Sequence, residues 1–150
     1  MRFVPLSRPL RFFMLGVDLG FIVYWVITLT HVLPAEWLYA HHDDPVMVAW
    51  NWSFLPLDLF VSATGLSAVA AARRGDARWV LLAMLSLAAT SASGMNAIAF
   101  WALRGDFDLG WWAPNLALLL GPLPFAWRLW DSARPDTAND AIALRSAGTH

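Results

Sequence analysis

The chain has 150 residues, a formal net charge of −1, 59% apolar residues and only 14% charged ones, where a soluble domain is about 45–50% apolar and about 25% charged. It has 10 Trp and no Cys, and all 10 of its basic residues are Arg. These counts exclude disulfides, thiolate nucleophiles and Cys-ligated metal centres, Schiff-base chemistry on a lysine, and the basic footprint of a nucleic-acid binder.

A bilayer-crossing helix needs about 20 mainly apolar residues. Four stretches qualify, at about 12–33, 46–72, 79–103 and 111–130. Each is too long for a strand and lacks period-two alternation. The expected fold class is therefore all-α: a polytopic integral membrane four-helix bundle over residues 1–130, followed by a polar tail over 131–150 with too little apolar surface to fold alone.

The first span follows Arg2, Arg8 and Arg11. A basic start before an apolar run suits a signal peptide, but this run is too long and no Ala-x-Ala site follows, so it reads as an uncleaved span. Helical spacing puts Gly16, Gly20, Tyr24, Thr28 and His31 on one face. Asp18 points elsewhere, about two turns from Arg11, and is expected to form a structural ion pair with Arg11, Arg73 or Arg74. The link from Pro34 to Pro45 contains His41-His42-Asp43-Asp44. Adjacent residues do not readily converge on one ion, so this run reads as a solvated interfacial loop rather than a metal site.

In the second span Asn51, Asp58, Ser62 and Gly65 share a face, with Phe54 and Leu55 beside them. An Asp at mid-membrane costs about 2.5–3.5 kcal/mol and needs a partner, a proton or a wet cavity. Arg74-Gly75-Asp76 after this span and Arg104-Gly105-Asp106 after the third read as turn residues, not as adhesion motifs. In the third span Ser86, Thr90, Ser93, Gly94 and Ala97 form a stripe of the small and polar type that joins membrane helices, with Asn96 at its edge. At about 1.5 Å per residue, Tyr24, Asp58 and residues 91–93 fall at one depth, and His31, Asn51, Asn96 and Asn115 form a layer further out. The fourth span contains Gly121-Pro122-Leu123-Pro124, which predicts a kink or break whose freed carbonyls need other donors.

Arg residues precede the first span, fill the second link and follow the fourth span, while the other two links are acidic on balance. The positive-inside rule then puts both termini in the cytoplasm. Nine Trp lie near span boundaries: Trp37, Trp50, Trp52, Trp101, Trp111 and Trp112 outside, Trp79, Trp127 and Trp130 inside. Most read as an aromatic belt. Trp50 and Trp52, which flank Asn51, read instead as part of a site.

Three runs carry a resemblance: Gly20-Phe21-Ile22-Val23-Tyr24-Trp25; Val48 to Phe54 with Pro56 to Phe60; and Ala97 to Ala102 followed by Asp106-Phe107-Asp108-Leu109. Across nearly all four spans the sequence resembles the YvaD-type group of small bacterial membrane proteins, which implies no established activity. A more distant similarity is to the EXPERA group, which includes the sigma-two receptor and emopamil-binding protein. It runs through Val32-Leu33-Pro34, Tyr39, Asp44-Pro45, Trp50, Ser53-Phe54-Leu55, Asp58, Gly75 and Trp79. That likeness implies a cavity entered from lipid, with Asp44 and Asp58 at positions of ligand-contacting acids. Thr28 stands where the sigma-two receptor carries a first-helix Asp, which implies a hydrophobic pocket more directly than catalysis.

The leading expectation is a protein that holds a hydrophobic small molecule, lipid or isoprenoid in an outer-leaflet pocket. Tyr24, Thr28, His31, Asp44, Trp50, Asn51, Trp52, Asp58, Asn96 and Asn115 are its candidate ligand-binding residues. No cofactor, metal or nucleic acid is expected. The second reading is an isomerase or cyclase with Asp58 in proton transfer and His31 or Tyr24 as its partner. The third is an accessory subunit of a larger membrane complex. A homodimer is compatible with the size, and transport by four helices without an internal repeat is the weakest reading.

Overall fold

A computed structural model describes residues 5–39 and 41–132. The expected 131–150 tail therefore lies almost wholly outside the described residues. Those residues form six α-helices and one 3₁₀ turn, with no strand among them: α1 Arg8–Thr30, the turn Ala35–Trp37, α2 Pro45–Ser53, α3 Leu55–Arg73, α4 Trp79–Arg104, α5 Leu109–Leu120 and α6 Leu123–Ser132. Three units are long and apolar enough to cross a membrane: α1, the α2–α3 unit Pro45–Arg73, and α4. Helices α5 and α6 together take the place of the fourth span.

Local chemistry sets these boundaries. Helix α1 ends about three residues inside the expected limit because His31 takes a left-handed conformation (φ 53°) at its C-cap. Asp44 caps α2, its carboxylate accepting from the Val46 amide at 2.9 Å, with Pro45 at the first helical position, where a missing N–H costs nothing. The second span was expected to be continuous. It is interrupted at Phe54 because Pro56 has no N–H for the Trp52 carbonyl, and the Phe54 amide turns back to Asn51 O at 3.2 Å. The break expected in the fourth span falls at Gly121-Pro122, between α5 and α6. Ser91 on α4 donates to the Leu119 carbonyl across the interface at 3.1 Å, supplying a donor beside the interrupted helix.

The helices run alternately up and down, so the Arg-bearing ends meet. There Leu10 and Met14 of α1, Ala68 and Ala71 of α3, Trp79, Ala83 and Leu87 of α4, and Leu129 of α6 form one apolar cluster. Phe13 and Phe125 pack beside it with centroids 5.2 Å apart. Trp79 and Trp101 are each 1% exposed. They belong to the core and not to the aromatic belt in which their position near span ends had placed them. Trp37, Trp127 and Trp130 are exposed, as a belt requires.

Helix α5 reaches α4 by close backbone approach, and none of its own side chains is fully buried. A β-carbon on Gly94 would lie 2.5 Å from the Leu119 nitrogen and 2.6 Å from the Asn115 carbonyl oxygen. The obstacle is backbone, which cannot swing aside. Gly94→Val is expected to separate α5 from α4 and to lower stability by about 1–3 kcal/mol, read as a lower melting temperature in detergent. An unchanged melting temperature would contradict this packing.

The loop from α3 to α4 is held by Asp76, whose carboxylate accepts from the Arg78 guanidinium at 2.7–3.1 Å and from its amide at 3.0 Å. The side-chain bonds from Arg78, then its amide, draw the Asp76 carboxyl down from the ordinary 3.8 to about 2. The pair's contribution is thus present above pH 3.8 and lost as pH falls through about 2. A carboxyl-carbon titration of Asp76 should move toward the ordinary value in Arg78→Ala; a midpoint unmoved by that change would contradict the pairing.

Candidate functional site

The residues singled out in the sequence separate into a buried polar junction and an open groove. Asp58 is 4% exposed. Its two carboxyl oxygens accept from two other helices: Trp25 Nε1 of α1 donates at 3.0 Å and Ser93 Oγ of α4 at 3.1 Å. The expected shared depth of Asp58 and Ser93 is realised in these bonds, with Trp25 rather than Tyr24 as the partner from α1. Beside this junction, Tyr24 OH donates to Asn51 Oδ1 at 2.6 Å. The Trp52 ring lies beside Trp25, with centroids 5.6 Å apart. Tyr24, Asn51, Trp52 and Asp58 thus form one continuous network through Trp25.

The remaining candidates serve other purposes or stand apart. Thr28 is buried and bonds its own helix, donating to the Tyr24 carbonyl at 2.8 Å. His31 is exposed at the end of α1, with Nδ1 3.1 Å from the Leu29 carbonyl. Asn115 donates to the Trp111 carbonyl one turn back at 2.7 Å, and Asp44 is the α2 cap. Gly16 and Gly20, expected on the Tyr24 face, look out on open space. Among the described residues, no three His, Asp or Glu side chains gather as they would around a metal ion.

Asp18 departs from expectation. It is fully buried, and no ion pair with Arg11, Arg73 or Arg74 forms among the described residues. The reason is steric: α1 turns Asp18 toward α3, where its carboxyl group lies directly against Gly65 and a β-carbon there would overlap it. Ser62 Oγ donates to the Asp18 backbone carbonyl at 3.1 Å, leaving both carboxyl oxygens without a hydrogen-bond partner.

The groove lies between the α2–α3 unit and the C-terminal half of α4. It encloses about 350 Å³ and is lined by Trp50, Ser53, Phe54, Leu57, Asn96, Phe100 and Leu103. Its aromatic wall is rigid. Trp50 stacks on Phe100 at 4.4 Å, meets Phe54 edge-on at 5.0 Å and Trp101 edge-on at 5.4 Å. Arg104 sits 5.7 Å over the Phe100 ring. The Ser53 hydroxyl donates to the Trp50 carbonyl at 2.6 Å and keeps its lone pairs for another donor. Asn96 is exposed, and its carboxamide has no hydrogen-bond partner among the described residues. Of the ten expected ligand-binding residues, the groove therefore takes Trp50 and Asn96.

Two participants escaped the sequence reading. Trp25 was noted only within a similarity motif, although a mid-span indole N–H demands an acceptor and Asp58 is the carboxyl at its depth. Phe100 is an apolar residue among many, and only the fold shows that it meets Trp50. Replacing Asp58 by Asn leaves one oxygen to accept and turns an amide toward a donor. We expect a loss of about 1–3 kcal/mol, with Ser93→Ala costing less because the freed oxygen keeps Trp25 nearby. Thermal unfolding in detergent orders the two variants, and the reverse order would contradict this geometry.

Residues 10–134 match a family of unknown function, DUF5360. The uncharacterized protein YvaD of Bacillus subtilis (strain 168) is 46% identical over 118 residues, covering 79% of this chain and 89% of that protein. No solved structure matches the chain. The long Trp-, Asn- and Asp-bearing runs that suggested the YvaD-type group thus extend through the whole helical region, and the chain belongs to the DUF5360 family.

Proposed function

We propose that this is a multi-pass protein of the bacterial inner membrane, both termini cytoplasmic, that holds a hydrophobic small molecule, a lipid or isoprenoid, in the groove between the α2–α3 unit and α4. The observation that carries the reading is the groove itself: about 350 Å³ walled by Trp50, Phe54 and Phe100, with the unpartnered Asn96 carboxamide at its rim. An apolar cleft with a few placed polar groups is the usual form of a small-molecule site. An exposed amide on a membrane helix is costly unless something satisfies it. Ring faces suit a flat or polyprenyl chain, and a carboxamide both donates to and accepts from a hydroxyl, carbonyl or phosphate. The distant resemblance of the sequence to the EXPERA group would imply the same kind of pocket, entered from lipid. The orientation follows from Arg8, Arg11, Arg73, Arg74, Arg78 and Arg128 at one end of the bundle, against Glu36, Asp43, Asp44, Asp106 and Asp108 at the other.

The isomerase or cyclase reading has weaker support. Both Asp58 oxygens are engaged, and His31 is exposed at a helix end, so a proton relay through these two would first have to dismantle the junction.

Purification in mild detergent followed by mass spectrometry of co-purifying small molecules tests the proposal. One lipid-like species should be enriched over the bulk membrane extract. Its retention should fall about 2–10-fold in Trp50→Ala, the value of one aromatic pair of about 0.5–1.5 kcal/mol, and fall again in Asn96→Leu. A lipid profile identical to the bulk extract in all three proteins would sink the proposal.

A further inference from the structure

We infer that the Arg-bearing end of the bundle carries a second ligand site, a cradle for the phosphate of an anionic phospholipid between the start of α1 and the end of α3. A groove of about 210 Å³ lies there, lined by Pro5, Leu6, Arg11, Val69, Ala72 and Arg73. Its two halves differ in chemistry. Leu6, Val69 and Ala72 form an apolar floor, and Arg11 and Arg73 bring two guanidinium groups to the same opening.

Neither arginine is neutralised by another described residue. The ion pairs among the described residues are His41–Asp106 and Arg78–Asp76, and neither Arg11 nor Arg73 shares a side-chain hydrogen bond with another described residue. Arg78 differs, its charge being taken up by Asp76. The start of α1 adds to the positive field. Ser7 makes no side-chain cap, and the first turn holds no acid, so the partial positive charge of the helix N-terminus is uncompensated beside the groove.

Guanidinium forks match phosphate oxygens in geometry as well as charge. A free phosphate would use only the two arginines. A phospholipid would also cover the apolar floor, and so it is the occupant that fits the whole groove. Arg11 lies in the first turn of α1 and Arg73 at the last residue of α3, at the ends of two units long enough to span a membrane, the position at which basic pockets between membrane helices bind anionic lipid heads.

The test is a native mass spectrometry titration of the full chain in mild detergent with phosphatidylglycerol, phosphatidylcholine and, separately, inorganic phosphate. Phosphatidylglycerol should bind in preference to phosphatidylcholine. The double variant Arg11→Gln/Arg73→Gln should weaken it about tenfold or more, the order expected for two headgroup-level arginines. The charge-matched control Arg8→Gln/Arg74→Gln should weaken it less than about threefold. Arg11→Lys/Arg73→Lys, which keeps charge but loses the fork, should fall between. Equal losses in the groove variant and its control would mean diffuse attraction and overturn the site. Displacement of the lipid by millimolar inorganic phosphate would overturn the lipid as occupant.

Discussion

A buried carboxyl group that takes hydrogen bonds among membrane-type helices takes them from donors within the protein, because lipid offers none. Asp58 is supplied by Trp25 from α1 and Ser93 from α4, so one side chain on α3 fixes the register of two neighbouring helices. Shifting α1 by a single residue would carry the indole N–H away from the carboxyl and leave that N–H and Asp58 Oδ2 buried without a partner, while Oδ1 keeps Ser93, a cost of about 1–3 kcal/mol for each orphaned group. The surrounding arrangement depends on this register. Tyr24, next to Trp25, reaches Asn51, and Trp52 rests on the Trp25 ring. On the far side, Met14 of α1 joins Ala68 of α3 in the apolar cluster.

Fixing Asp58 inside the bundle also separates scaffold from surface. Leu57 turns to the groove while Asp58, its neighbour, turns to the interior. The groove is built from the next layer outward, where Trp50 stacks on Phe100 and the interruption at Phe54 sets the direction of α2. A rigid junction beneath an open aromatic cleft is the arrangement expected of a binding site whose polar contacts lie at its rim. The Arg-bearing end has a different character, an apolar cluster bordered by two guanidinium groups that pair with no other described residue.

The spans were legible because long apolar runs leave few alternatives, and the shared depth of Asp58 and Ser93 followed from helical rise alone. Glycine and proline were less evenly read. Gly121-Pro122 announced the break between α5 and α6. Pro56 carried the same signal for the break at Phe54, but the continuous hydrophobicity around it masked the interruption. Burial of Trp79 and Trp101 was not legible, since tryptophan near a span end has the same sequence signature whether it faces headgroups or neighbouring helices. Asp18 shows a further limit. Its distance from Arg11 along the helix suggested an ion pair, yet which way it turns depends on Gly65, a residue 47 positions away whose missing side chain makes the space. The groove was half-legible: Trp50 stood out by type, whereas Phe100 and Leu103 became part of a site only through packing.

The central claim is that Asp58 and Trp25 act together as a structural junction. A double-mutant cycle of Trp25→Phe and Asp58→Asn, read by thermal or denaturant unfolding of the detergent-solubilised protein, measures that coupling directly. The account predicts that the two changes are strongly non-additive, with a coupling of about 1 kcal/mol or more. Additive losses, within about 0.3–0.5 kcal/mol, would show that the two side chains do not act on each other and would contradict the account.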